Sequence, residues 1–118
     1  MSNYLEKLNE YSEHVNTSEL VNRLCGNVIL VNKFISVFHK TFKDVAAEIE
    51  DKIEEGKLKD AEALVHKLKG SSENLNLARI YDTSCKLEQA LKSEQEIEIH
   101  NEFKAFKEIL DEFFKIIE

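Results

Sequence analysis

The residues best suited to chemistry lie in the stretch "AEALVHKLKGSSENLNL", residues 61–77. His66 is followed by Lys69 and then directly by Gly70. On a helix, residues three and four apart lie on one face, so an imidazole, an ammonium group and a position without a side chain would be neighbours. A neutral imidazole can attack phosphorus and hold a phosphoryl group covalently, and a nearby ammonium would offset its charge. The spacing therefore favours phosphoryl transfer on His66.

The predicted orientation of His66 follows from the apolar pattern around it. With about 100° of rotation per residue, the apolar side chains of this segment share one direction, and His66 points roughly 130° away from it. The ring should therefore lie on a solvated face, near Glu62 and Lys69. A histidine with the usual pKa of about 6.5 is largely neutral at pH 7, as a nucleophile must be. The alternative is a surface histidine without a role. The residues that set the buried direction are Leu58, Ala61, Val65, Leu68, Ser72 and Leu75.

Gly70 is unusual because it falls inside a predicted helix, where a glycine costs roughly 1 kcal/mol relative to alanine. The other two glycines, Gly26 and Gly56, stand where helices are expected to end. Gly70 lies on the exposed side, one turn beyond His66, and leaves the surface beside the ring bare. Such a position suits close approach by another protein or by a bulky charged group. A merely tolerated glycine, and a Lys69 that is only solvated, are the alternatives.

The elements that would position these residues are all helices. The chain has 118 residues and no proline, and apolar stripes recur with alternating steps of three and four. Asn27 is placed to cap a long helix that ends at Gly56. We predict an all-α fold, an antiparallel four-helix bundle, in a single domain over residues 1–118. Its core would span about residues 27–118, and one or two short helices within about residues 3–25 would form a cap.

The stripes define the expected core of each segment. A first helix would span about residues 3–14. One of Asn16, Thr17 and Ser18 would cap the short helix "ELVNRLC" that follows it. Ser93 would cap the last helix. The stripe residues outside the histidine segment are Val31, Ile35, Phe38, Phe42, Val45, Ile49 and Ile53, then Leu77, Ile80, Ser84, Leu87 and Leu91, and finally Ile99, Phe103, Phe106, Leu110, Phe113 and Ile117.

Composition argues against several other classes of function. The net charge of -7 comes without a basic stripe, which disfavours binding to nucleic acid or to anionic membrane surfaces. The N-terminus is too polar for a signal peptide, and no apolar run is long enough to span a bilayer. With Cys25 and Cys85 as reduced thiols, a cytoplasmic location is expected. No histidine or cysteine spacing suits a metal, and no P-loop is present.

The segment "HKLKGSSENLNL" resembles the signature of histidine-containing phosphotransfer (HPt) domains, which is broadly H-x-x-K-G-S-[SA]. The residues that fall on this pattern are His66, Lys69, Gly70, Ser71 and Ser72. The upstream stretch "LCGNVILVNKFISVFHKTF" is similar to the helix that precedes the signature in the family. The stretch "KLEQAL", with Leu87 and Glu88, is similar to the helix that follows it. The resemblance covers about residues 18–92.

What the resemblance implies is a phosphohistidine carrier in a two-component phosphorelay. His66 would accept a phosphoryl group from an aspartate of one receiver domain and pass it to an aspartate of another. Lys69 would offset the phosphoryl charge, and Gly70 would leave room for the receiver. The chain would be a phosphotransfer intermediate rather than a self-contained enzyme, with no cofactor of its own and no ATP-dependent kinase activity. A magnesium ion is expected in the partner receiver domain.

The partners implied are response-regulator receiver domains and a hybrid sensor kinase, with this chain as a monomer. Two rival functions stay open. One is a non-catalytic helical adaptor that binds a receiver or kinase domain without carrying phosphate. The other is a self-associating bundle, for which Phe114 and Ile116 of the last helix would supply exposed apolar surface. The docking surface expected around the histidine comprises Glu62, Ala63, Gly70, Ser71 and Glu73.

Two positions depart from the family pattern. Asn76 stands where the family generally has glycine, and we expect it to take the left-handed backbone conformation that asparagine tolerates. Near Ser84 the family often has a cysteine, but here Cys85 comes one residue later, which turns the thiol by about 100°. Neither change touches the face that carries His66.

Overall fold

The structure, a computed structural model, describes residues 4–9 and 17–118. The elements within these residues are helices joined by short turns, so the expected all-α fold is confirmed. His14, Asn16 and the second half of the first predicted helix lie outside the described residues. In chain order the helices are α1 (Tyr4–Asn9), α2 (Thr17–Arg23), α3 (Val28–Phe42), α4 (Val45–Glu54), α5 (Leu58–Asn74), α6 (Ala78–Ser93) and α7 (Glu96–Ile117).

The single long helix predicted between Asn27 and Gly56 is two helices, so that prediction was wrong. α3 ends before Lys43, and Asp44 has a non-helical backbone, with φ -110° and ψ 7°. The apolar stripe nevertheless continues through the break, because Phe42 and Val45 on either side of it are both buried. Periodicity alone could not reveal the break. The four long segments that were expected therefore correspond to five helices, α3–α7.

The helices pack as an elongated bundle of 43 × 22 × 20 Å. α5 contacts α4 and α6, and α6 also packs against α7. Every residue of the predicted stripes is buried, apart from Ile53 and Leu58, which are half-buried against the core. Because burial of apolar surface stabilises a fold by about 25 cal/mol per Å², these stripes are what holds α5 and α6 side by side.

Aromatic side chains fill the core between α3 and α7. The ring of Phe38 lies 5.9 Å from that of Phe113 and 6.2 Å from that of Phe114, centroid to centroid. Phe114 is therefore buried, and Ile116 is half-buried against the same cluster. The exposed apolar stripe that self-association through the last helix would need is not formed by these two residues, and that suggestion was wrong.

The two N-terminal helices lie against the ends of longer ones. Lys7 of α1 donates hydrogen bonds to two backbone carbonyls at the C-terminal end of α7. Arg23 of α2 donates to the carbonyls of Glu73 and Asn74, at distances of 3.2 and 3.1 Å. These carbonyls belong to the last turn of α5, where helical hydrogen bonding leaves acceptors free and a cation is favourable. α2 is thus attached to the helix that carries the histidine.

The turns between the helices test three local predictions. Oδ1 of Asn27 accepts a hydrogen bond from the backbone N–H of Leu30 at 3.0 Å, so the predicted cap of α3 is confirmed. Asn76 has φ +56°, the left-handed conformation expected for it. Ser93 does not cap α7, because it belongs to α6 and Gln95 occupies the capping position. That prediction was wrong, although the Ser93 hydroxyl does accept from the Gln95 N–H at 3.3 Å.

None of the helices in the described ranges is both long and apolar enough to cross a bilayer by itself. α2 and the α3–α4 pair reach the required length and composition only together, and a bend of 109° separates them.

Candidate functional site

His66 projects into solvent from α5. Its side chain is 70% exposed, as the helical wheel predicts. Nδ1 of the ring lies 2.7 Å from Oε2 of Glu88 on α6. A separation this short is typical of a charge-assisted hydrogen bond. The orientation of the ring is therefore fixed by the neighbouring helix as well as by α5 itself.

Glu88 is a buried carboxylate that contacts both candidate side chains of α5, His66 and Lys69. It is only 7% exposed, and its Oε1 accepts a hydrogen bond from Nζ of Lys69 at 2.7 Å. Burial alone would raise the pKa of Glu88, but hydrogen bonds from Lys69 and His66, with the charges of Lys69 and Lys92, lower it below the ordinary value. The carboxylate is therefore ionised at neutral pH, when it can accept hydrogen bonds through both oxygens.

Lys69 reaches the shared carboxylate from one turn along α5. Its side chain is 22% exposed. The hydrogen bond to Glu88 raises the pKa of Lys69, while burial opposes this to a smaller degree. The sequence places Lys69 beside His66, and the structure adds that its ammonium points at Glu88. An ammonium group has three N–H donors, so one bond to Glu88 leaves donors for another anion.

The ring nitrogen of His66 that Glu88 does not contact is Nε2. In the part of the chain that the structure describes, the hydrogen bonds of this ring involve Nδ1 alone. Because an ionised Glu88 can only accept, we assign the ring proton to Nδ1 and the lone pair to Nε2. An exposed nitrogen with a lone pair, on a ring that a second group orients, is the usual arrangement of an activated nucleophile.

Gly70 leaves the flank of His66 open. A Cβ atom placed on Gly70 would meet no atom of the chain within 4 Å, and its φ lies outside the left-handed region. Neither the backbone conformation nor the packing against described residues therefore calls for a glycine. The space beside the ring is available to another molecule.

The family model described as "Hpt domain" matches residues 33–115 of this chain, a range that includes His66, Lys69, Gly70 and Glu88. The chain belongs to the Hpt domain family. Hpt domains are helical bundles that act as phosphohistidine carriers in two-component systems, where they work with receiver domains and kinases. Comparisons with curated proteins and with solved structures find no match for this Hpt domain.

The docking residues predicted for this Hpt domain do not share one depression. Glu62 and Ala63 line a shallow concavity together with His66. Ser71, which follows the exposed Gly70, lines a separate groove, and Glu73 lines a third depression near the turn after α5. Glu62, which was expected near His66, lies 3.9 Å from Lys92, and the carboxylate that contacts the ring is that of Glu88.

The groove that contains Ser71 is an apolar surface with a basic edge. It has a volume of about 450 Å³ and lies where α2 and α3 approach α5. Phe34 and Val37 of α3 line it and are 39% and 51% exposed. Arg23 and Lys67 supply the positive charge. The sequence did not point to these residues, because the stripe on α3 identifies only its buried side.

Glu88 is a candidate site residue that the sequence pattern did not lead us to predict. Its position carries a signal, since Glu88 lies one turn from both Ser84 and Leu91, which belong to the buried stripe of α6. A glutamate is almost never fully buried unless it is paired. An acid on an apolar stripe therefore indicates a partner on the facing helix.

The remaining candidate groups add no second centre of chemistry. Cys25 is exposed and Cys85 is half-buried, and both are free thiols. Ser84, where the family often has cysteine, is buried, and its hydroxyl has no hydrogen-bond partner among the described residues. No group of three or more His, Cys, Asp or Glu side chains able to hold a metal occurs in the described residues.

Proposed function

We propose that this Hpt domain carries a phosphoryl group on Nε2 of His66, accepts it from an aspartyl phosphate on one receiver domain and delivers it to the aspartate of another. The observation that supports this proposal is the short contact between Nδ1 of His66 and Glu88. It occupies the inner nitrogen and directs the outer one to solvent. The open space at Gly70 lies one turn away on the same helix.

In the accepting step, the lone pair of Nε2 attacks the phosphorus atom of the aspartyl phosphate. The bond between phosphorus and the carboxylate oxygen breaks, and the aspartate leaves with the electron pair. The ring keeps its proton on Nδ1, so it acquires positive charge as the new bond forms. Glu88 is already in place to stabilise that charge, and no group has to reorganise during the reaction.

The donating step is the reverse. A carboxylate oxygen of the second receiver attacks phosphorus, the bond from phosphorus to Nε2 breaks, and the electron pair returns to the ring. Phosphoryl transfer needs mainly positioning and neutralisation of charge. Lys69 can provide one cation with the N–H donors that Glu88 does not use. The magnesium ion, and the ligands that hold it, belong to the receiver domain.

The groove beside α5 is the surface on which we expect the receiver domain to dock. Its exposed Phe34 and Val37 give apolar contact area, and Ser71 connects it to the open position at Gly70. Exposed apolar residues that form one patch commonly mark a protein interaction site. The basic side chains of Arg23 and Lys67 favour a partner with an acidic rim.

The proposed function is tested by incubation with phosphorylated receiver domains, followed by detection of acid-labile, base-stable phosphate on this chain. We expect labelling of the wild type and none of His66→Gln, with unchanged helical circular dichroism. His39→Gln is the matched control and should be labelled normally. Binding of a receiver without labelling would favour the non-catalytic adaptor, and full labelling of His66→Gln would exclude His66 as the carrier.

A further inference from the structure

A second group of charged residues lies on the α6 side of His66, away from the apolar groove. A shallow concavity of about 450 Å³ lies between α5 and α6, and its lining residues are Lys59, Glu62, Ala63, His66, Glu88 and Lys92. Lys92 follows Glu88 by one helical turn, so the two side chains lie on the same face of α6. The positive charge of Lys92 contributes to the lowered pKa of Glu88, which places the ammonium within electrostatic range of the site.

The charges at the resting site are balanced without Lys92. The Glu88 carboxylate is matched by the ammonium of Lys69 at 2.7 Å, and Nδ1 of His66 donates to its other oxygen. A phosphoryl group would bring about -1.5 to -2 charges at pH 7. Lys69 is already bonded to a carboxylate and offsets only part of that charge, so a further cation would stabilise the phosphorylated site.

Lys92 can supply this cation because its resting contact is weak. Its side chain is 60% exposed and lies 3.9 Å from Oε1 of Glu62, at the outer limit of an ion pair. Exposed pairs of this kind contribute little to stability. The flexible stem of Lys92 can therefore exchange Glu62 for a stronger anion without disturbing the packing of α6.

We propose that Lys92 is a second phosphoryl-binding residue, which leaves Glu62 and pairs with the phosphoryl group once His66 carries it. This inference rests on the proposed function for its biological meaning. The binding itself depends only on phosphate being present on His66. The two lysines would then hold the phosphoryl group from both sides, Lys69 from α5 and Lys92 from α6.

The direct test uses small-molecule phosphoramidate to phosphorylate His66 without any receiver. The phosphorus–nitrogen bond of the reagent breaks, ammonia leaves, and a new bond forms to Nε2. With lysine labelled by ¹⁵N, we expect the Nζ signal of Lys92 to shift and its proton exchange with water to slow. Lys86, exposed on another face of the same helix, is the control and should not respond. An unchanged Lys92 signal on fully phosphorylated protein would overturn the proposal.

A second measurement uses the equilibrium between this domain and a phosphorylated receiver. Lys92→Ala should reduce the equilibrium ratio of phosphorylated to free Hpt domain by about two- to fivefold, the size expected for one exposed charge contact. Lys92→Arg should retain the ratio, and Lys86→Ala should leave it unchanged. The double variant Lys92→Ala with Glu62→Lys returns a cation to the concavity and should recover part of the loss. An equal loss in Lys86→Ala would contradict a specific role.

The two experiments separate this inference from the proposed function. If phosphoramidate moves the Lys92 signal but no receiver phosphorylates the domain, the relay fails while the binding role of Lys92 stands. If receivers phosphorylate His66 and neither measurement responds to Lys92, the relay stands and the role of Lys92 is wrong.

Discussion

Among the residues that the structure describes, two regions contain a histidine paired with a glutamate, and they are built in opposite ways. At the α5–α6 face, Nδ1 of His66 lies 2.7 Å from Glu88, with the histidine 70% and the glutamate 9% exposed in their side chains. Between α3 and the end of the chain, Nε2 of His39 lies 3.1 Å from Glu118, with exposures of 26% and 59%. In the first pair the glutamate is buried and the histidine ring is exposed. In the second pair the histidine ring is mostly buried and the glutamate is exposed.

The difference shows what turns a histidine into a candidate nucleophile. The ring of His39 packs edge-on against Phe114, with centroids 5.4 Å apart, and its outer nitrogen is the one that Glu118 contacts. Because that carboxylate is exposed, water and salt weaken the pair. Glu88 is instead held by the bundle and contacts only the inner nitrogen of His66. Exposure of the ring and rigidity of the acid together distinguish the two regions.

Among the changes that test the difference between the two pairs, removal of Glu88 should have the largest effect on phosphoryl transfer. A hydrogen bond to a charged group contributes about 1.5–3 kcal/mol, so Glu88→Ala should slow phosphoryl transfer to His66 by roughly 10- to 100-fold. Glu88→Gln retains a carbonyl acceptor for Nδ1 but no charge. Its rate of phosphoryl transfer should therefore lie between those of Glu88→Ala and the wild type. Rates at saturating receiver concentration, measured by rapid quench, separate this effect from docking. Glu118→Gln is the control, and an equal loss there would remove the distinction between the pairs.

Gly70 provides the next test, because it acts on docking rather than on the ring. Gly70→Gln would press a side chain against the receiver, and overpacking typically costs about 1–3 kcal/mol. We expect transfer at low receiver concentration to fall by roughly tenfold, with recovery as the receiver approaches saturation. Gly70→Ala should raise the free energy of unfolding by roughly 1 kcal/mol, since its Cβ meets nothing within 4 Å. A Gly70→Gln variant with wild-type transfer rates would refute the steric role.

The pH dependence of stability sharpens the same comparison. Burial pushes the pKa of Glu88 upward, but the hydrogen bonds from Lys69 and His66 outweigh it, so the folded value lies below the ordinary 4.5. A carboxylate with a lowered folded pKa stabilises the fold fully above the unfolded value and loses that contribution as the pH falls through the folded value. Chemical denaturation should therefore show a difference between wild type and Glu88→Gln that is largest near pH 7 and shrinks below about pH 4.5. A gap of constant size across this range would contradict the ion pairing.

The smallest effect is expected at His39. Exposed ion pairs contribute about 0–1 kcal/mol, so Glu118→Gln should change the free energy of unfolding by less than about 1 kcal/mol. The thermal midpoint of each single variant, read by circular dichroism, checks this. A loss of several kcal/mol would mean that the Glu118 contact supports the fold to a degree that its exposure does not explain.

The sequence was sufficient for those features that depend on local pattern. Stripes with helical spacing identified the core side of each helix and the outward direction of His66. The left-handed conformation of Asn76 was expected because asparagine tolerates it and stands where the family generally has glycine. These predictions succeed because helical periodicity and backbone preference act over a few neighbouring residues.

Features that depend on two distant segments were not predictable in the same way. The break at Asp44 leaves the stripe in register, so no periodic signal marks it. α6 extends through Ser93 and ends at Glu94, which has a left-handed backbone conformation. The role of Glu88 arises only when α6 lies beside α5, with 19 residues of separation from Lys69. The position of Glu88 on a buried stripe indicated that it has a partner, but only the packing of α6 against α5 identifies that partner.

The most direct test of the central claim is to determine which ring nitrogen carries phosphate. His66 is labelled with ¹⁵N in the ring, the domain is phosphorylated by a receiver, and the ³¹P–¹⁵N coupling is measured at alkaline pH, where phosphohistidine is stable. The account predicts coupling to Nε2 and none to Nδ1, the nitrogen that lies against Glu88. Coupling to Nδ1 would contradict it, because the phosphoryl group would then occupy the position that the buried glutamate holds.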